Sequence, residues 1–287
     1  MISLLQIILL GLVQGAAELL PVSSSAHVIV AEKLMGIDPT TPEATFLLAT
    51  LHTGTMFAVL VYFWRKWAVR YFVGTVRWRT VLVQLVIATA CTGAVSLGLQ
   101  AVIERIFLGT TASPGQIEEL FGNLPLIGAG LAAAGILIVL SGLKRRNSDT
   151  GSEVSMGSAV GMGLIQGMVL PFRGFSRSGS TISVGLLARN GRREAEEFSF
   201  ALAVLLTPPV VARELKRLLK LNASEAHPLH FLHLAGPGLI GMACSFVAGL
   251  LALRLLSRWL DQGRWHYFGF YCLAAAAAVL ALAAGGL

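Results

Sequence analysis

Gly11-Leu12-Val13-Gln14-Gly15-Ala16-Ala17-Glu18-Leu19-Leu20-Pro21-Val22-Ser23-Ser24-Ser25-Ala26-His27 decides the fold. The apolar run from Ile2 to Leu20 reads as a helix until Pro21 stops it, and three serines follow. A second helix-like stretch, Val28 to Leu34, comes directly after. The run has no basic leader and carries Gln14 and Glu18, so it is not expected to be a cleaved signal peptide. Val154–Arg189 has the same design and breaks at Pro171-Phe172-Arg173-Gly174-Phe175-Ser176-Arg177-Ser178-Gly179. Non-helical backbone at membrane depth survives only inside protein or beside a wet cavity. Both segments, Ile2–Met35 and Val154–Arg189, are therefore expected to be re-entrant helix-loop-helix hairpins with polar tips.

The rest of the chain supplies the membrane. Of 287 residues, 55% are hydrophobic and 13% charged, about half the charged share of a soluble domain. The expected spans are Thr45–Trp64, Val81–Ile103, Leu124–Leu143, Phe198–Ala212, Ala235–Ser257 and Trp265–Ala284, most of them near the ~20 residues that cross the hydrocarbon. The net charge of +7 sits beside apolar runs, which points to loop anchoring and not to nucleic acid. Cys91, Cys244 and Cys272 lie far apart in apolar segments and read as small buried hydrophobes.

The two halves match at one constant offset. Leu12-Val13-Gln14-Gly15 pairs with Leu164-Ile165-Gln166-Gly167, Phe46 with Phe198, and Ala49 with Ala201, while the serine-rich breaks fall between these anchors. One hairpin and three spans per half give the second half the opposite orientation. The expected fold class is thus an all-α polytopic membrane protein with six transmembrane helices plus two re-entrant hairpins. It forms a single membrane domain, 1–287, of inverted-topology repeats about 1–146 and 154–287, with a polar site between them. Arg65, Lys66, Arg70, Arg77 and Arg79, then Lys144, Arg145 and Arg146, then Arg254, Arg258 and Arg264 mark cytoplasmic loops. Arg213, Lys216, Arg217 and Lys220 go against that assignment.

A carboxylate at membrane depth costs about 2.5–3.5 kcal/mol, so Glu18 needs an offsetting partner. Gln14, four residues earlier, shares its helix face. The pair reads either as packing polarity or as a buried acid that handles a cation or proton. Ser23, Ser24 and Ser25 stand where they can cap the second helix, whose free amides suit a phosphate. His27 is one turn beyond Ser24. In the other hairpin Ser176, Ser178 and Thr181 offer hydroxyls, and Arg177 offers a donor fork matched to phosphate. Arg177 could instead pair permanently with Glu18. Arg173 could bind phosphate or snorkel. His52 reads as a support beside the site or as an ordinary core histidine. His227, His230 and His233 read as surface histidines sooner than as metal ligands. Together these groups favour a phosphate or diphosphate carried on something lipid-soluble.

Gln14 through His27 resembles the first signature of the bacterial undecaprenyl-diphosphate phosphatases, also called bacitracin-resistance proteins. Gly174-Phe175-Ser176-Arg177-Ser178-Gly179-Ser180-Thr181 resembles the second. Leu51-His52-Thr53-Gly54-Thr55 and Glu196 through Val204 extend the likeness over essentially the whole chain. The resemblance implies hydrolysis of undecaprenyl diphosphate to undecaprenyl phosphate and phosphate, carrier recycling for the cell wall, and lowered bacitracin sensitivity. It further implies a divalent cation, Mg2+ or Ca2+, near Glu18 and Gln14. It implies a bacterial inner-membrane location with the site opening to the periplasmic side, membrane lipid as neighbour, and room for a homodimer. Gln14, Glu18, Ser24, His27, Ser176, Arg177 and Thr181 fall on family site positions. Gln14 stands where many members have Glu, which removes a negative charge near any cation. Ala26 replaces a usual Gly, and the Pro normally beside the Gly of the second signature is absent.

The sequence reading is attack on the terminal phosphorus by Ser24 with His27 as base, or by His27 itself. Glu18 holds a cation or orients His27, and Arg177 stabilises charge. A lipid-phosphate transporter or flippase is the rival from another class, since broken helices in inverted repeats are a transporter architecture. Such a protein needs no nucleophile, which counts against it here. The loop charges predict that a cysteine at Gln116 (Q116C) is labelled from outside intact cells, while one at Thr75 (T75C) is labelled only after permeabilisation. Equal outside labelling of both would overturn the orientation.

Overall fold

The computed structural model describes residues 2–38, 41–72, 75–103, 105, 123–144, 152–224 and 231–285. Gln116, Arg145, Arg146, His227 and His230 lie outside these. So do the side chains of Arg70, Arg77, Arg213, Arg217, Lys220 and His233.

Among the described residues every regular element is a helix. The order is α1 (Leu4–Leu19), α2 (Ser24–Leu34), α3 (Pro42–Phe72), α4 (Thr75–Ile103), α5 (Leu124–Lys144), α6 (Met156–Val169), α7 (Arg177–Leu187), α8 (Arg192–Ser224), α9 (Phe231–Asp261) and α10 (Trp265–Ala284). Both expected hairpins are present as short helix pairs, α1–α2 and α6–α7, broken where the sequence breaks. Ser3 caps α1 through a capping box with Gln6, and Ser155 caps α6 through the Ser158 amide.

Among the described residues five helices are long and apolar enough to cross a membrane: Glu43–Val69, Trp78–Ile103, Leu124–Lys144, Ala235–Asp261 and Trp265–Ala284. Large apolar side chains cover their outer faces, among them Trp64, Leu97 and Leu140, as lipid contact requires. The protein is a multi-pass membrane protein. The sixth expected span, Phe198–Ala212, is the middle of the 33-residue α8 and is not among the five. Pro208 and Pro209 interrupt it, and Arg213, Lys216 and Arg217 follow closely.

Lipid is as apolar as leucine, so helices here associate through close packing and polar contacts, not by escape from water. Hairpin helix α1 packs along α9, and α6 packs along α4. A Cβ on Gly15 would strike the Ser245 backbone and Ala248, and one on Gly167 would strike Thr92 and Val95. The Thr92 hydroxyl donates to Gly163 O at 2.9 Å and accepts from Gln166 at 3.1 Å, while Ser245 donates to Leu51 O at 2.9 Å. Beyond these seams α5 lies against α10, and Trp265 Nε1 donates to both Ser141 and Ser183, joining α10, α5 and α7. An aromatic column of Phe63, Trp67 and Phe200 fills the contact of α3 with α8.

The α1–α9 seam predicts that Gly15→Leu, by overpacking, destabilises the protein by about 1–3 kcal/mol. The measurement is its melting temperature in detergent beside that of Gly98→Ala, where an added Cβ meets nothing. An unchanged melting temperature for Gly15→Leu would contradict the seam.

Candidate active site

The site grows from the hairpin breaks. Proline ends α1, and the carbonyls freed there need donors, since no water reaches them within hydrocarbon. Each finds one. Leu20 O accepts from the Ser178 hydroxyl at 3.3 Å, Pro21 O from the Cys272 thiol at 3.3 Å, and Ser23 O from His27 Nδ1 at 2.8 Å. Ser178 belongs to the other hairpin and Cys272 to α10, so satisfying the break pulls three parts of the chain together. The tips touch again where the Gly174 amide donates to Ser25 Oγ at 3.4 Å. Gly174 has φ +94°, and a Cβ on it would strike Ile127 of α5, so the turn can pass only as glycine.

Glu18 is the centre. Its Oε1 accepts from Arg177 Nη2 at 2.7 Å. Its Oε2 accepts from the Ser24 hydroxyl at 2.5 Å and from the Gln14 amide at 3.2 Å. His52 Nε2 stands 3.9 Å from Oε2, with Nδ1 donating to Leu48 O. The Glu18 and Arg177 side chains keep 16% and 17% of their surface open, which leaves the pair reachable. Arg177 Nη1 is buried with no hydrogen-bond partner. The carboxylate therefore engages Nη2 of the guanidinium and leaves Nη1 without a partner.

Several expected roles look different in the geometry. Ser24 donates to Glu18, whereas the sequence suggested His27 as its base. His27 gives Nδ1 to Ser23 O, and its Nε2 lies 2.7 Å from the Tyr271 hydroxyl, with the two rings stacked. Because Nδ1 carries the proton in the neutral ring, Nε2 is the acceptor from Tyr271. The serines do not cap α2. Ser23, at the N-cap with φ 68°, makes no side-chain cap bond; its hydroxyl turns to Ser25 at 3.2 Å. The first amides of α2 therefore have no side-chain oxygen from the N-cap, while the dipole still favours an anion there.

The second hairpin uses its other hydroxyls on itself and on α8. Ser176 caps the Gly179 amide at 3.1 Å. Thr181 donates to Arg177 O at 3.0 Å and meets the Ser199 hydroxyl of α8 at 2.5 Å. Ser176, Ser178 and Thr181 are all buried. They set the backbone from which Arg177 projects. Arg173 is half-buried and in electrostatic contact with Glu32 of α2.

Tyr271 and Cys272 were missed by the sequence reading. Each stands in an apolar span, and only the fold brings α10 against the first hairpin. Among the described residues no group of three or more His, Cys, Asp and Glu side chains is placed to hold a metal ion. Glu18 with Gln14 is one carboxylate and one amide. That fits a cation of the Mg2+ type only where substrate phosphate oxygens supply the remaining ligands.

Comparison with known proteins gives the family. Residues 7–278 match the family model described as bacitracin resistance protein BacA. Undecaprenyl-diphosphatase 2 of Acinetobacter baylyi is 51% identical over 282 residues, covering 98% of each chain. The undecaprenyl-diphosphatase of Desulfosudis oleivorans is 36% identical over 278 residues, 93% of this chain and 94% of that protein. That of Rhodopirellula baltica is 32% identical over 281 residues, 97% of this chain and 98% of that one. With two broken hairpins meeting at a Glu18–Arg177 pair and likeness along nearly its full length, the chain belongs to the BacA bacitracin-resistance family.

Proposed function

We propose that this protein hydrolyses undecaprenyl diphosphate to undecaprenyl phosphate and inorganic phosphate, recycling the lipid carrier for cell-wall synthesis and lowering sensitivity to bacitracin. The observation that carries this is the idle arm of Arg177 beside Glu18 and Ser24. The diphosphate docks against Arg177 and the first amides of α2. As the guanidinium turns to phosphate oxygens, Glu18 loses its strongest partner and is freer to take the Ser24 proton. Ser24 Oγ then bonds to the terminal phosphorus, the bridging P–O bond breaks, and undecaprenyl phosphate leaves. Water next cleaves the phosphoserine, releasing phosphate and restoring the hydroxyl. A divalent cation, Mg2+ or Ca2+, would be held by Glu18 and Gln14 with the diphosphate oxygens, and would supply further charge neutralisation.

A second reading has its own support. The Ser23 carbonyl holds the Nδ1 proton of His27, which leaves Nε2 with a lone pair, so His27 attacks once Tyr271 yields. The exchanged packing of α1 on α9 and α6 on α4 supports the inverted repeat, with the middle of α8 as the sixth span. The basic loops support a plasma-membrane protein of bacteria with its site open to the outer side.

Phosphate release from a C55 or C15 prenyl diphosphate by purified protein in detergent tests the activity. Arg177→Ala should cut turnover by at least about two orders of magnitude, as loss of a transition-state charge partner does. Arg177→Lys should recover little, because one ammonium cannot hold Glu18 and phosphate as a fork does. Full activity in the lysine variant would reduce Arg177 to a general anchor.

Rapid quench with labelled substrate separates the nucleophiles. Attack by Ser24 leaves a phosphoserine that survives acid and is lost in strong base, and none forms in Ser24→Ala. Attack by His27 leaves an acid-labile adduct that persists in Ser24→Ala. Recovery of that acid-labile adduct would transfer the role to His27 and leave the hydrolysis itself standing.

A further inference from the structure

A cavity of about 910 Å³ lies well away from the hairpin tips, between the C-terminal part of α3, the start of α8 and the end of α9. Arg65 is thirteen residues beyond His52 on α3, about 20 Å at ~1.5 Å per residue, so the two places do not overlap. Arg65 and Lys66 line one wall and Arg254 and Arg258, one helical turn apart, line the other, with Ser257 between them. Three carboxylates also line it, and each has a partner. Asp261 is gripped by Arg193 through Nε and Nη2, both at 3.2 Å. Glu196 accepts from Ser257, which itself accepts from Tyr62 at 2.9 Å. Glu197 is buried and engaged. The Lys66 ammonium lies over the Tyr62 ring, 4.6 Å from its centroid. Among the described residues Arg65, Arg254 and Arg258 make no ion pair.

Positive loops beside a membrane are expected, but they need not converge. Here three guanidinium groups without an ion pair face one hollow from two helices, and each acid that lines it already has a partner. Guanidinium forks match phosphate oxygens in pairs. The volume exceeds that of a bare phosphate and suits one with organic substituents. We infer that this cavity is a second phosphate-group site, separate from the hairpin site, that takes the phosphate of an anionic lipid headgroup or free inorganic phosphate. It does not depend on the hydrolytic reading, because none of its residues contacts Glu18, Ser24, His27 or Arg177.

The test uses full-length protein in neutral detergent carrying Arg177→Ala, so that the hairpin site contributes little anion binding. Melting is followed with inorganic phosphate, with dihexanoylphosphatidylglycerol, and with dihexanoylphosphatidylcholine as the zwitterionic control. The expected result is a rise of about 3–6 °C with an anionic probe near a hundredfold excess over its Kd. The rise should vanish when Arg254→Gln and Arg258→Gln are added. A rise with phosphate and with the glycerol lipid means that the phosphate group suffices; a rise with the lipid alone names the headgroup as the source. Arg65→Gln alone, on the opposite wall, should at least halve the rise, and it decides the matter should the double substitution fail to fold. Arg79→Gln, outside the cavity, should leave it intact. Equal rises with and without the arginine substitutions, or an equal rise with the zwitterionic lipid, would overturn the site.

Discussion

A carboxylate and a guanidinium meet at membrane depth, Glu18 with Arg177 at 2.7 Å, and the rest of the structure is arranged so that they can. Either charge alone would cost about 2.5–3.5 kcal/mol to place there on insertion scales, and leaving one behind without the other would cost more. They come from hairpins far apart in sequence, so each hairpin must stop short and aim its tip at the other. The same constraint governs the uncharged groups. Carbonyls stranded at the first break are taken up by Ser178 and Cys272, and the Gly174 amide reaches Ser25. Charge pairing and backbone satisfaction thus demand one geometry, and neither hairpin can achieve it by itself.

That geometry needs a rigid frame in a solvent that offers no hydrophobic drive. Small residues provide it by letting backbones approach. Gly11 and Gly15 bring α1 onto α9, and Gly163 and Gly167 bring α6 onto α4. At the α4–α6 seam the Thr92 hydroxyl bridges the approach, while the Ser245 hydroxyl ties α9 to α3. The frame also explains why Ser176 and Thr181 of the second hairpin are spent locally. Ser176, Thr181 and Ser199 hold the first turn of α7 against α8, so that the Arg177 side chain leaves a fixed backbone.

Most of the fold could be read from the chain because a membrane restricts the choices. Pro21 and the Gly174 turn could mean only broken helices, and five of the six expected spans are helices of spanning length and hydropathy. α8 resisted that reading because prolines and nearby arginines and lysines blur its ends, so hydropathy alone does not define where it enters lipid. Within the site, Glu18, Arg177 and Ser24 could be found because a charged or polar group inside an apolar run is conspicuous. The direction of each hydrogen bond could not. Spacing put His27 one turn from Ser24 and suggested a dyad, but a helix turn says nothing about where a ring points. The carbonyl of Ser23 and the hydroxyl of Tyr271, on α10, settle its orientation. Tyr271 itself looked like any aromatic in a span.

The division of labour between the halves follows from the constant offset that relates them. Gln14 corresponds to Gln166 and both are buried, but only Gln14 faces an acid, since the position matching Glu18 is Leu170. Ser24 corresponds to Ser176, which caps its own helix, because the acid that would turn it outward is missing. Ser25 corresponds to Arg177, and His27 to Gly179. One half therefore holds the carboxylate with Ser24 and His27, and the other holds the fixed cation. Two copies of the first half would bring two carboxylates together with no guanidinium between them, and two copies of the second would bring two guanidinium groups with no base. The carboxylate and the guanidinium therefore pair at the contact of two unlike halves, which is where the two hairpin tips meet.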